Sequence, residues 1–190
     1  MRNYYKKNFK EYINKTINCD IENIYSFFLK HIKESDKTLL DIGFGSSRDS
    51  IYFSKRFDVT SIDPINKFVR HAKKMGLKNV YKMKVENIKY DSAFDLIWAN
   101  ASLLHVKEES LNDVFKKISK ALKINGTMYC SFKYGDFVGI RDNRYYIDLT
   151  EKSVLKYLEH TNLKIKEFLI TEDSLNRTST KWLNLILVKE

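Results

Sequence analysis

An α/β fold is predicted, built on a seven-stranded, mostly parallel sheet with helices on both faces and an antiparallel C-terminal hairpin. Three features of the 190-residue sequence point to it. Short apolar runs alternate with amphipathic segments, the pattern of strand–helix–strand units joined by right-handed crossovers. A two-glycine turn, Gly43-Phe-Gly45, joins the first of these runs to a helix. The last two runs have no helical pattern between them, so they pair as a hairpin at the sheet edge.

Along the chain, Tyr5, Phe9, Tyr12 and Ile13 predict a helix near 4–16, and Ile21, Ile24, Phe27, Phe28 and Ile32 a second over 20–34. Residues 1–34 are read as a helical cap or lid, and 35–190 as the sheet domain. Strand one is 38–42, followed by a helix near 47–55. Strand two is 58–62. Pro64 suits the first turn of the next helix, whose apolar face is Ile65, Phe68, Val69 and Ala72 and whose end is near Gly76. Strand three is 79–83 and strand four 94–99. The following helix presents Leu111, Val114, Phe115, Ile118 and Leu122, with Glu108 and Glu109 at its positive end and Asn125-Gly126 at its exit. Strand five is 127–133. The stretch 134–148 has no clear period and reads as a loop. A helix capped by Thr150 covers 150–161, and the closing strands are 164–171 and 181–188.

Composition narrows the function. Hydrophobic residues make up 43% of the chain and aromatics 14%, which excludes a disordered chain. Two cysteines, Cys19 and Cys130, with no CxxC, exclude a disulfide framework or a four-cysteine zinc site, and no metal site is expected. The net charge is +10, but seven of the 34 basic residues are arginine and the lysines are spread along the chain. That distribution favours a solvated basic surface over a nucleic-acid footprint. The N-terminus lacks a signal-peptide apolar core and no run approaches the roughly 18 residues of a membrane span. A soluble, cytoplasmic protein with no membrane association is expected; the oligomeric state is left open.

The turn after strand one carries the main functional signal. Glycines at 43 and 45 let the backbone bend sharply and let a ligand approach without an intervening Cβ. The helix N-terminus just beyond offers unpaired N–H groups. Asp63, at the end of strand two, stands where a carboxylate accepts hydrogen bonds from both ribose hydroxyls. Together these indicate a nucleoside-containing cofactor. Full dinucleotide fingerprints carry a third glycine where Arg48 stands here. Asp41 beside the turn suits a cofactor with a cationic amine and would repel a pyrophosphate, which favours S-adenosylmethionine over NAD. Arg48 reads equally as a ligand contact or as an ion-pair partner of Asp49 or Asp63.

Four segments resemble class I S-adenosylmethionine-dependent methyltransferases, a Rossmann-like family. They are Leu39 to Gly45, Val59 to Pro64, Ala93 to His105 and Ala121 to Gly126. The likeness is nearest to small stand-alone bacterial enzymes with an S-F-K-Y-G segment, here Ser131 to Gly135, and a terminal W-L-N, here Trp182 to Asn184. The resemblance implies that Gly43 and Gly45 line the methionine part of the cofactor, with Asp41 beneath it. Asp63 with Pro64 holds the ribose, Val85 and Glu86 flank the adenine, and Ala99 and Asn100 lie near the sulfonium. Ser47 replaces the usual third glycine of this family, and Lys84 stands where many relatives carry an acidic residue.

Methyl transfer from a sulfonium is an in-line displacement in which the protein supplies alignment and desolvation. Segment 99–102 lacks D/N-P-P-Y, which marks down adenine-N6 and cytosine-N4 acceptors. Both cysteines look inert, which marks down carbon-5 pyrimidine chemistry. Candidate catalytic residues are His105, Lys133 and Tyr134. His105 reads as a general base or as a capping or core residue. Arg141 and Arg144 read as a clamp for an anionic group or as a solvated basic loop. Tyr145 and Tyr146 wall a pocket or anchor that loop. Tyr5 and Tyr12 line the acceptor site under a lid, or pack ordinarily. Trp182 lies on a site wall or an exposed edge. The main reading is a methyltransferase acting on a small anionic molecule. An RNA or tRNA methyltransferase and a non-catalytic methyltransferase-like binding protein are the alternatives.

Overall fold

The structure, a computed structural model, describes residues 2–175 and 180–190. Its seven-stranded sheet has the order β3-β2-β1-β4-β5-β9-β8. The strands are β1 (Thr38–Ile42), β2 (Asp58–Asp63), β3 (Val80–Lys82), β4 (Phe94–Ala99), β5 (Leu122–Lys133), β8 (Leu163–Glu172) and β9 (Lys181–Lys189). The first five pair in parallel, while β9 runs antiparallel to both β5 and β8. This is the predicted sheet and hairpin. The chain runs outward from β1 to β3, then returns to β4 beside β1. That reversal opens a crevice at the carboxyl ends of β1 and β4, where open α/β sheets take their ligands.

Both sheet faces are buried, so its central strands are almost wholly apolar. On one face Leu40, Ile42, Ile97, Met128 and Leu185 pack against Leu111, Val114, Phe115 and Ile118 of α6 (Glu108–Ala121). On the other, Leu39, Leu96, Trp98 and Tyr129 meet Tyr25, Phe27 and Phe28 of α3 (Glu22–Leu29) and Phe53 of α4 (Arg48–Phe53). A third cluster joins Phe68, Val69 and Ala72 of α5 (Asn66–Lys74) to Phe44 and Val80. Tyr5, Phe9, Tyr12 and Ile13 pack on it from two short helices, α1 (Arg2–Lys7) and α2 (Phe9–Thr16), broken at Asn8.

Four local expectations are corrected. The helix predicted over 4–16 is these two pieces. The stretch read as a loop contains a hairpin, β6 (Val138–Arg141) with β7 (Arg144–Ile147). Its turn residues, Asp142 and Asn143, both have positive φ (51° and 59°), the conformation a two-residue hairpin turn requires. That pair was the signal in the sequence. Asn125-Gly126 does not end α6. The β4–β5 register jumps between Phe94 and Leu96, and the residues between Leu122 and Thr127 bulge outward inside β5. The helix expected over 150–161 shrinks to α7 (Leu155–Leu158), after a turn in which Thr150 Oγ1 accepts the Ser153 N–H. Among the described residues no helix is long and apolar enough to cross a membrane.

Candidate functional site

The loop after β1 is held in a shape only glycine adopts freely. Gly43 has φ +76° and donates its N–H to the Ile62 carbonyl at 2.7 Å. A Cβ there would lie 2.5 Å from Ser102 Cβ, so no side chain fits. Gly45 has φ +50°. Ser47 continues the left-handed path at φ +72°, fully buried, with its hydroxyl unpartnered. The glycine geometry is therefore kept at 47 without the glycine. A left-handed L-residue costs roughly 1–2 kcal/mol. Ser47→Gly is expected to stabilise the fold by about 1 kcal/mol, raising the thermal midpoint by a few degrees. An unchanged or lower midpoint would contradict this account of the strain.

Beneath the loop, Asp41 accepts a 2.6 Å hydrogen bond from Ser50 Oγ, which also contacts Ser61 Oγ at 2.9 Å. Burial, and then the neighbouring Asp49 carboxylate, push Asp41 well above the usual carboxylate range. Asp49 behaves oppositely. Burial alone would raise it, but Arg48, Tyr25 and Trp98 outweigh that and hold it low. Arg48 grips it with Nε at 2.6 Å and a terminal nitrogen at 3.1 Å. Tyr25 OH donates at 2.6 Å, Trp98 Nε1 at 2.9 Å and Asn100 Nδ2 at 3.3 Å. Of the readings of Arg48, the structure shows the ion pair with Asp49; the same side chain also lines the cavity described below.

Asp63 closes β2 and is 5% exposed. Its carboxylate accepts N–H groups from Ile65 at 2.7 Å and Gly45 at 3.3 Å. Burial raises it to about 7, against which the two N–H groups work only in part. Tyr12 covers this corner. Its hydroxyl lies 2.9 Å from where a Gly45 Cβ would point. Tyr12, Tyr5 and Phe9 cluster on Phe68. What stays open is a cavity of about 160 Å³ over the ends of β1, β4, β5 and β9. Gly43, Arg48 and Asn100 line its floor, and Tyr5 and Tyr12 its roof. Asp41, Gly45, Asp63, Pro64, Val85, Glu86 and Ala99 lie outside it. Glu86 pairs with Lys84 at 3.9 Å, and its carbonyl accepts Lys117 Nζ.

The far wall holds His105, Lys133, Arg144, Tyr146 and Trp182. His105 Nδ1 is 2.7 Å from the Tyr145 carbonyl, which can only accept, so Nδ1 carries the proton. Nε2 therefore presents a lone pair and accepts the Tyr5 hydroxyl at 2.9 Å. Burial, with Arg144 and Lys133 nearby, lowers His105 to about 4 despite the Tyr145 bond. Tyr145 stands behind the site as a support: its hydroxyl accepts the Glu108 N–H. Lys133 and Arg144 both lie over the Tyr146 ring, at 4.7 and 5.1 Å. Trp182 Nε1 donates to Asp173 at 2.8 Å. Arg141 is placed outside the cavity, paired with both oxygens of Asp148. Tyr134 is also outside, 37% exposed and donating to Glu151.

Residues 40–130, just under half of the chain, match the model of a family described as a methyltransferase domain. The similarity is to a methyltransferase domain. No curated protein sequence matches the chain. Solved structures reproduce the whole fold. A 1,6-didemethyltoxoflavin-N1-methyltransferase of Burkholderia thailandensis, with 1,6-didemethyltoxoflavin and S-adenosylhomocysteine bound, superposes with a TM-score of 0.78. It is 18% identical and covers 97% of this chain and 83% of that one. An S-adenosylmethionine-dependent methyltransferase of Clostridium acetobutylicum gives 0.71 at 18% identity, over 97% and 98%. The [4+2]-cyclase SpnF gives 0.71 at 15% identity, over 88% and 80%, so this fold also carries other chemistry. The enzyme class and donor expected from the sequence agree with the domain match and these neighbours.

The site also holds residues that sequence reasoning passed over. Asp49 is the centre of the buried network, yet an acidic residue in a first helical turn reads as an ordinary dipole partner. Ser102 meets Gly43 and keeps a buried, unpartnered hydroxyl. Ser131 joins Asn100 Oδ1 to the Ala101 N–H. A lone serine gives no periodic or spacing signal, so neither was legible.

Proposed function

We propose that this chain transfers a methyl group from S-adenosylmethionine to a small anionic acceptor by in-line displacement. The observation that carries this reading is the union of two half-sites in one crevice. On one side is the turn at Gly43, Phe44 and Ser46, on the other the Lys133–Arg144 wall; Asp63, bonded to the Gly45 N–H, adjoins the turn behind Tyr12. The residues present suit the donor. Two buried hydroxyls without partners, Ser47 Oγ and Ser102 Oγ, flank the turn, and no side chain intrudes from the glycines. Gly43 and Gly45 would hold the methionine part over Asp41, with Arg48 alongside. Asp63 and Pro64 would hold the ribose, and Val85 and Glu86 the adenine. Ala99 and Asn100 would border the sulfonium, which supplies an already activated methyl group. Lys133, Arg144 and Trp182 would orient the acceptor. Arg141, committed to Asp148, and Tyr134, turned to Glu151, take no part in it. Calorimetry with S-adenosylmethionine and S-adenosylhomocysteine at micromolar protein is expected to show one binding site; no heat with either would overturn the reading.

Residues 1–34 act in this reading as a lid that is shut over the donor's seat. Ligand pockets for drug-sized molecules span roughly 300–1,000 Å³, and the open cavity is about half the lower limit. Tyr12 stands between it and Asp63. Donor entry therefore requires α2 to shift, and the ligand must offset the aromatic contacts it displaces. Tyr12→Ala is expected to raise donor affinity and association rate by roughly tenfold, the equivalent of about 1.4 kcal/mol. A tenfold loss in the same titration would make Tyr12 a donor contact instead.

A further inference from the structure

Resting on the methyl-transfer reading, we infer that the acceptor atom is the oxygen of an acidic aromatic hydroxyl, and that His105 Nε2 takes its proton. The protein's own Tyr5 is the observation behind this. A phenol sits in the cavity with its hydroxyl 2.9 Å from Nε2, its ring edge-on to the imidazole at 5.9 Å between centroids. The Tyr145 carbonyl fixes the tautomer, so Nε2 can receive a proton and cannot donate one. Burial keeps the ring neutral, with this lone pair available, at neutral pH.

The charges around that point sort the acceptor classes. Arg144 lies beside the Tyr5 hydroxyl and pulls against the rise that burial imposes on it. Its Nε is buried and has no partner. Lys133 stands on the same wall. An amine acceptor gains positive charge as it attacks, which two nearby cations oppose. A carboxylate has no proton to give, and its charge would face the Nε2 lone pair. A hydroxyl that ionises gains negative charge, which Arg144 stabilises while His105 removes the proton. With His105 lowered to about 4, proton removal depends on the anion being held by Arg144 and Lys133. A phenol, several units more acidic than an aliphatic alcohol, meets that need better. Tyr146, 4.8 Å from His105 between ring centroids, supplies an aromatic wall for the acceptor ring.

The step balances. The acceptor O–H bond breaks and its proton passes to Nε2. The O–CH3 bond forms as the S–CH3 bond breaks, with that electron pair staying on sulfur as a neutral thioether. The imidazolium then returns its proton to solvent. Tyr5 and the acceptor exclude one another, so α1 must lift first.

The test uses the full chain. Calorimetry with S-adenosylhomocysteine comes first, because absent binding defeats the underlying reading and this inference with it. With binding established, 4-hydroxybenzoate, 4-aminobenzoate and benzoate are each incubated with S-adenosylmethionine and analysed by mass spectrometry. Only the hydroxy compound is expected to gain a methyl group, on its ring oxygen. N-methylation, ester formation, or no product from the hydroxy compound overturns the inference and leaves the donor reading intact. His105→Gln separates a base from a structural residue. It is expected to cost about 100-fold or more in kcat with 4-hydroxybenzoate, yet only a few-fold with 4-nitrophenol at pH 8, which is already ionised. Equal losses on both would overturn the role of His105. In Tyr5→Ala, which opens the seat, 4-nitrophenol is expected to show its phenolate absorbance on binding at pH 6. Arg144→Gln in that background should abolish the signal; a signal that survives contradicts the role of Arg144.

Discussion

Asp63→Ala is expected to weaken donor binding by about 100- to 1,000-fold. Two ribose hydroxyls donating to one carboxylate make two charge-assisted hydrogen bonds, each contributing about 1.5–3 kcal/mol. With about 1.4 kcal/mol per tenfold, even the lower figure for each gives two decades. The same residue sets a pH dependence. Burial raises Asp63 to about 7 in the free protein. The ionised form accepts both hydroxyls and the protonated form does not, so binding draws on the ionised population. Affinity should be flat above about pH 8 and fall roughly tenfold per unit below 7. The alanine variant should lose that step along with its affinity. Calorimetry from pH 5.5 to 8.5 on both proteins reads the two effects together. An affinity indifferent to the substitution, or a wild-type profile without the fall, would remove Asp63 from the donor site.

Asp49→Ala is expected to destabilise the fold strongly. The carboxylate collects Arg48, Tyr25, Trp98 and Asn100 in a buried position. Its removal strands the Arg48 guanidinium, which is only 18% exposed. Breaking a buried pair by deleting one partner costs about 3–5 kcal/mol. For a chain of this size that lowers the thermal midpoint by about 10 °C. The pair's contribution belongs to the ionised carboxylate, so it is present at pH 7 and fades as pH falls through the lowered value of Asp49. The gap between wild type and variant should therefore narrow toward acid pH. A midpoint within 2–3 °C of wild type would show that the network is worth far less than its geometry implies.

Local signals carried the fold because each is repeated along a short stretch of chain. Apolar runs at 38–42, 58–63 and 94–99 are strands because both sheet faces are covered. The α6 stripe of Leu111, Val114, Phe115 and Ile118 is helical because it faces one of them. The Gly43–Gly45 turn and the strand-end position of Asp63 were legible because backbone freedom and the end of an apolar run depend on position in sequence alone. The β6–β7 hairpin was missed because its strands are four residues each and the apolar residues of β6, Val138 and Ile140, are the exposed ones, so polarity does not follow burial.

Other features needed the chain to close on itself. Whether Tyr5 and Tyr12 line a pocket, close it or pack elsewhere depends on where α1 and α2 dock, about 100 residues in sequence from His105. Arg141 and Arg144 looked alike in the sequence. The hairpin turned one toward Asp148 and the other toward the cavity, so only Arg144 meets His105 and Tyr5. Hydrophobic period and turn chemistry act between near neighbours and can be read along a line. Side-chain partnerships form between residues far apart in the chain, and their energies exist only once packing has brought those groups within a few ångströms.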